Sequence, residues 1–166
     1  MGRWRPPSPA SSPYITPEGY QRLENELNDL WPRRAEVTQA LSAAAAEGDR
    51  SENAEYIYRK KELREIDRRI RYLQKRMPNL KVVKQVGDRS KIFFGALVTL
   101  EDEEGREYSW RIVGADEIEN EKNYISIDSP MGKALLGKSL DERITLKVSE
   151  NMIEFYVIGI QYMDDL

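Results

Sequence analysis

Glu47-Gly48-Asp49-Arg50-Ser51-Glu52-Asn53 separates two runs that share one apolar spacing, and its reading decides the fold. Upstream, Tyr20, Leu23, Leu27, Leu30, Val37, Leu41 and Ala44 follow a three-four alternation, with Arg34 the polar interruption at a seam position. Downstream, Leu63, Ile66, Ile70, Leu73 and Met77 repeat it. This is the seam pattern of a coiled coil. The two stripes can face each other only if the chain reverses between them, which predicts an antiparallel helical hairpin over residues 14–79 with its tip at 47–53. At 1.5 Å per residue each arm extends roughly 40 Å, so the tip is held far from the other end.

The tip residues admit two readings. Gly48 suits the left-handed conformation that ends a helix, and Asp49 can accept from the first free amides of the next. Glu52, three residues on, then completes a capping box. Alternatively, Asp49 and Glu52 are a pair of metal-ligating carboxylates. The capping reading is the commoner meaning of such a spacing, and composition weakens it without deciding between the two. Leu41-Ser42-Ala43-Ala44-Ala45-Ala46 leaves the upstream arm with little bulk near the tip, which suits insertion into a narrow channel better than burial of its own surface. From Glu55 to Arg76 nine bases stand against four acids, a surplus of five positive charges beside the two carboxylates. Phosphates bound there would bring Mg2+ with them, and that ion is usually held by one or two carboxylates plus phosphate oxygens.

The stretch from Gly48 to Tyr56, followed by Lys60-Lys61, Leu63-Arg64-Glu65-Ile66-Asp67-Arg68-Arg69, resembles the bacterial transcript-cleavage elongation factors, the Gre family, in its GreB branch. The resemblance resumes at Phe93-Phe94-Gly95-Ala96, Arg111-Ile112-Val113-Gly114 and Tyr124-Ile125-Ser126-Ile127-Asp128-Ser129-Pro130-Met131. The family's proline in the first arm falls where this chain has Ala35, whereas here Pro32 interrupts the helix and should kink it.

Composition bounds the chemistry. The 166 residues contain no cysteine and no histidine, which excludes disulfides, thiolate metal sites and the commonest general base. Charged residues make up 33%, yet the net charge is only −3. The signs are segregated: residues 91–166 hold sixteen acids and eight bases, against the basic second arm, which fits two faces for two partners and equally the charge of solvated helices. Residues 1–13, with Arg3, Arg5 and four prolines, read as a disordered arm without a signal-peptide core. No later run approaches a membrane span.

Thr16 and Pro17 open the first helix as N-cap and first helical residue. Pro78-Asn79 stops the second, and residues 80–90 read as a linker. Beyond it the period changes to two. Residues 96–101, 107–113, 124–127, 143–148 and 155–162 are short β-branched or aromatic runs, interrupted by one helical stretch at 131–136. The fold class is α+β: a coiled-coil hairpin, then a small antiparallel-sheet domain over 91–166, which the resemblance makes similar to FK506-binding proteins.

The resemblance implies a cytoplasmic transcription elongation factor, monomeric when free and grouped with DNA-binding transcription proteins, that makes no membrane contact. Its hairpin would enter the secondary channel of bacterial RNA polymerase. There Asp49 and Glu52 would share a Mg2+ of the polymerase active site in trans, the chain having no cofactor of its own and being no enzyme by itself. Arg50, Ser51, Asn53 and Tyr56 would support the tip, and Arg59, Lys60, Lys61 and Arg64 would hold the nascent RNA 3′ end. Arg68 to Arg76 read as solvated or stem-binding. Asp128, Ser129 and Pro130 match the family's contact with the channel rim on the largest subunit, and equally suit an Asx-type turn feeding the short helix. A channel regulator without cleavage activity and a chaperone with prolyl isomerase activity are the competing readings.

Overall fold

Two long helices carry the expected seam. The computed structural model describes residues 10–48, 53–84, 87–120 and 123–163. Helix α1 spans Pro17–Ala46 and α2 spans Ala54–Arg76, so the helices bracket the tip stretch. Every apolar seam position named above is buried or half-buried. Val37, Ile66 and Ile70 form the centre of the packing, with Leu27, Leu30 and Leu63 against them. Helix α1 is continuous through Pro32.

Ion pairs across the seam fix the antiparallel register. Arg69 makes a two-pronged contact with Glu26 at 2.6 and 2.9 Å, and Arg33 meets Glu62 at 3.3 Å. Arg34, the polar interruption, donates through Nε to Asp67 at 2.6 Å. Each of these pairs is partly exposed and worth about 0–1 kcal/mol, whereas burying one Val or Ile is worth about 1.5–3 kcal/mol. Apolar burial therefore supplies the stability, and the charges select the pairing.

Compact packing divides the chain into two units, Glu18–Leu80 and a second that joins Met1–Pro17 to Lys81–Leu166. Residues 14–17, which the sequence placed in the hairpin, belong with the second unit. Strand β1, Tyr14–Ile15, pairs in parallel with β2, Lys81–Val82, inside what read as the linker. The hairpin is thus an insertion between two paired strands. Gly114 lets β1 come close: a Cβ there would sit 1.9 Å from the Tyr14 carbonyl oxygen. The buried Glu117 carboxylate accepts from the Gly114 N–H at 2.8 Å, the Thr16 N–H at 3.1 Å and the Thr16 hydroxyl. These donors offset the cost of burying a charge. The Thr16 hydroxyl gives its proton to Glu117 immediately before α1 begins.

The rest of this unit is a five-stranded sheet in the order β5-β4-β3-β7-β6, from β3 Leu97–Asp102, β4 Glu107–Val113, β5 Tyr124–Ser126, β6 Arg143–Val148 and β7 Asn151–Gln161. The sequence predicted an antiparallel sheet, but β5 joins β4 in parallel. The intervening 3-10 turn at Ala115–Asn120 carries the chain back to the same end of the sheet. Val98, Leu100, Ile112 and Val157 point inward, and the short helix α3, Pro130–Leu135, lays Leu135 on them. Tyr162 closes the unit: its hydroxyl donates to the Lys91 carbonyl at 2.6 Å and accepts from the Phe93 N–H at 3.0 Å.

Asp102 organises the β3–β4 turn. It accepts from the N–H groups of Glu104 and Arg106 at 3.0 and 2.9 Å and from Arg106 Nε at 2.8 Å. Burial works to raise its pKa, but the Arg106 and Glu104 hydrogen bonds and the Arg106 charge together outweigh it and leave the pKa below the ordinary value. A depressed carboxylate contributes stability that is fully present above its unfolded pKa, about 3.9, and is lost as the pH falls through the lower folded value. We expect Asp102→Asn to lower the urea midpoint of the sheet unit at pH 7, and the gap from the parent to shrink between pH 4 and pH 2. A gap that is constant across this range assigns the loss to turn geometry alone.

Candidate site on the hairpin

The tip is closed by one side chain. Asn53 is the N-cap of α2: its Oδ1 accepts from the Tyr56 N–H at 3.1 Å, while its Nδ2 donates to the Ala44 carbonyl at 2.7 Å. One amide thus satisfies an orphan N–H of α2 and adds a second donor to the Ala44 carbonyl in the last turn of α1, which also accepts from the Glu47 N–H at 3.2 Å, joining the two arms. This corrects the capping-box alternative, because the cap offered to Asp49 is filled by Asn53. Asp49, Arg50, Ser51 and Glu52 lie outside the described residues. Gly48 takes φ +146°, a positive value that suits glycine but is far from the left-handed helical value near +57° expected for a helix end.

Away from the tip, the expected RNA-binding residues separate into two sets. Arg59 is committed within its own helix, to Glu55 at 2.8 Å and Glu62 at 3.3 Å, and the Glu55 hydrogen bond holds its pKa above the usual value. Lys60, Lys61 and Arg64 are exposed. Lys60 Nζ lies 5.8 Å over the ring of Tyr56, a cation–π distance that links the basic arm to the half-buried tyrosine below the tip.

Arg68 and Arg71, read from sequence as solvated or stem-binding, line one groove of about 600 Å³ with Arg64, and with Trp31 and Arg34 from the opposite arm. The signal was present in the 64, 68, 71 spacing, which places three guanidinium groups on one helical face. What sequence could not supply was Trp31, 47% exposed, brought alongside by the antiparallel pairing. Cationic side chains beside an aromatic plane are the components of single-strand nucleic-acid binding. Among the described residues no cluster of three or more His, Cys, Asp or Glu is arranged to hold a metal, and no helix is long and apolar enough to cross a membrane.

On the sheet unit, Ser129 is the N-cap of α3, accepting from the Gly132 N–H at 3.0 Å and donating to the Ser126 carbonyl at 2.6 Å. Pro130 is the first helical residue and is exposed. The cap of α3 is therefore a serine motif, and the half-buried Asp128 carboxylate instead receives Ser12.

Comparison places this geometry in a known class. Residues 13–82 match the family described as "Transcription elongation factor, N-terminal", and residues 87–162 match "Transcription elongation factor, GreA/GreB, C-term". The chain belongs to the GreA/GreB family of transcription elongation factors. It is 54% identical over 164 residues to transcription elongation factor GreB of Pseudomonas aeruginosa, covering 98% of each chain. It is 53% identical over 165 residues to GreB of Xanthomonas axonopodis pv. citri, again covering 98% of each. Among solved structures, Gfh1 of Thermus aquaticus is 29% identical with a TM-score of 0.42, covering 91% of this chain and 99% of that one.

The cap assignment makes a direct prediction. Asn53→Ala removes the bond to Tyr56 and the bond to Ala44 together, and should cost the hairpin about 1–2 kcal/mol. Asp49→Ala should cost less than half of that. Chemical unfolding followed by circular dichroism checks both; equal losses would return the cap to Asp49.

Proposed function

We propose that the chain is a transcript-cleavage factor that acts with bacterial RNA polymerase. Its hairpin enters the secondary channel tip first and stimulates the polymerase's own cleavage of backtracked RNA, which releases arrested complexes. The observation that supports this reading is the cap: Asn53 caps α2 and reaches across to α1, so that cap does not call on the Asp49 or Glu52 carboxylate. The donor set suits Mg2+, since carboxylates are the hard oxygen ligands this ion takes together with phosphate oxygens. In the polymerase active site it would be the second of two metal ions, which together would stabilise the charge on the attacking and leaving oxygens.

Each part of the chain then has a task. Asp49 and Glu52 offer two carboxylates in trans; the factor is not itself the enzyme and binds no cofactor tightly alone. Asn53 fixes the tip, and Arg50, Ser51 and Tyr56 have supporting roles there. Lys60, Lys61 and Arg64 hold phosphates of the extruded RNA 3′ end by charge, without reading its sequence. Asp128, Ser129 and Pro130 dock the sheet unit at the channel rim on the largest subunit, where its excess acid favours a basic partner. The factor works in the cytoplasm, away from any membrane, and is monomeric until it docks.

The test is addition to a stalled elongation complex carrying 3′-labelled RNA. Asp49→Ala with Glu52→Ala should leave polymerase binding intact and abolish stimulated cleavage, with helix content checked by circular dichroism. A folded, bound double variant that still stimulates at the parent rate sinks the ligand role.

Lys60→Ala with Lys61→Ala should behave differently. Cleavage of longer extruded RNA should fall more than that of short RNA, and its salt dependence should flatten by about one unit of slope for each phosphate that is no longer neutralised. An unchanged salt slope removes these lysines from the RNA path.

A further inference from the structure

The Asp128 carboxylate is held from a distant part of the chain. Ser12, 116 positions earlier, donates its N–H to Oδ2 at 2.9 Å and its hydroxyl to Oδ1. The neighbouring atoms of the loop are committed elsewhere. The Asp128 N–H goes to Ser126 Oγ at 3.0 Å, and Ser129 caps α3.

Ser12 reaches Asp128 on anchored backbone. The Pro13 carbonyl accepts from the Lys81 N–H at 2.7 Å, and the Ile15 carbonyl accepts from the Val83 N–H at 3.0 Å. Ile15 is fully buried, and the Tyr14 ring lies 6.1 Å from that of Phe94. A donor pair mounted on such a segment orients both carboxylate oxygens at once.

We propose that Ser12 is a positioning residue for polymerase docking. It fixes the Asp128 carboxylate in the orientation that receives a cationic side chain of the partner, so the docking surface is composite and includes residues 12–13 beside 128–130. The inference rests on the docking reading of Asp128 given above. A carboxylate ordered in advance does not lose its rotamer freedom on binding, which is a recurrent cost of association.

The experiment is competition binding of the full chain to polymerase, with Ser12→Ala, Ser12→Thr, Asp128→Ala and the Ser12→Ala/Asp128→Ala double variant. Ser12→Ala should weaken binding about three- to tenfold, the range expected for one side chain left to be ordered on association. Cleavage at saturating factor should be unchanged, as should the thermal midpoint. Ser12→Thr keeps the hydroxyl and should bind like the parent. In the Asp128→Ala background, Ser12→Ala should cost nothing further. Parent or tighter binding by Ser12→Ala, alongside weakened Asp128→Ala, overturns the positioning role and leaves docking standing. An equal loss in both backgrounds assigns Ser12 to fold stability instead. If Asp128→Ala binds like the parent, the docking reading itself falls and this inference falls with it.

Discussion

The pairing of β1 with β2 is the constraint on which the architecture depends. Two residues on each strand, Tyr14 with Lys81 and Ile15 with Val82, bring together the points where the chain leaves for the hairpin and returns from it. Under them lies Glu117, whose carboxylate holds the Thr16 backbone and hydroxyl just before α1 begins. Gly114 has no side chain because the Tyr14 carbonyl occupies the space a Cβ would need. Short strands of this size contribute few hydrogen bonds of their own. Their stability comes from the fully buried Ile15 and the satisfied carboxylate beneath.

The hairpin is built differently. Its apolar contacts concentrate at Val37, Ile66 and Ile70, while the approach to the tip is alanine-rich. Side-chain bulk therefore falls toward the tip even where Ala44 is buried, and a polar contact joins the arms there. Asn53 spends one side chain on both helix termini, which holds the ends together without adding width. Lys60, Lys61 and Arg64 are exposed on α2, and this basic arm is separated from the acid-rich sheet unit in sequence and in packing unit. The two charge patches can then change independently of each other.

Much of this was legible in the sequence because it is periodic. The seam from Leu23 to Ala44 and from Leu63 to Met77, and the alternation in residues 97–102 and 107–113, each repeat a local signal several times. The features that escaped are single long-range contacts. A two-residue strand has no period, so Tyr14 and Ile15 read as the start of the hairpin. The Asp49-x-x-Glu52 spacing suggested a capping box, while the side chain that caps α2 also had to reach Ala44 on the other arm. Asp128 looked like a local turn residue because nothing near it in sequence points to Ser12. The parallel entry of β5 depends on where a 3-10 turn returns the chain, which strand propensity does not encode.

The insertion of the hairpin between β1 and β2 also orders events during synthesis. Thr16 emerges from the ribosome early, but its partner Glu117 follows 101 residues later. Over that interval the whole hairpin is made, and its contacts are local enough to form without the rest of the chain. The N-terminal strand must wait, unpaired, while an autonomous helical module folds downstream of it. Vectorial translation thus completes the hairpin before the base that carries it, and the contacts that close the base span the longer sequence separation.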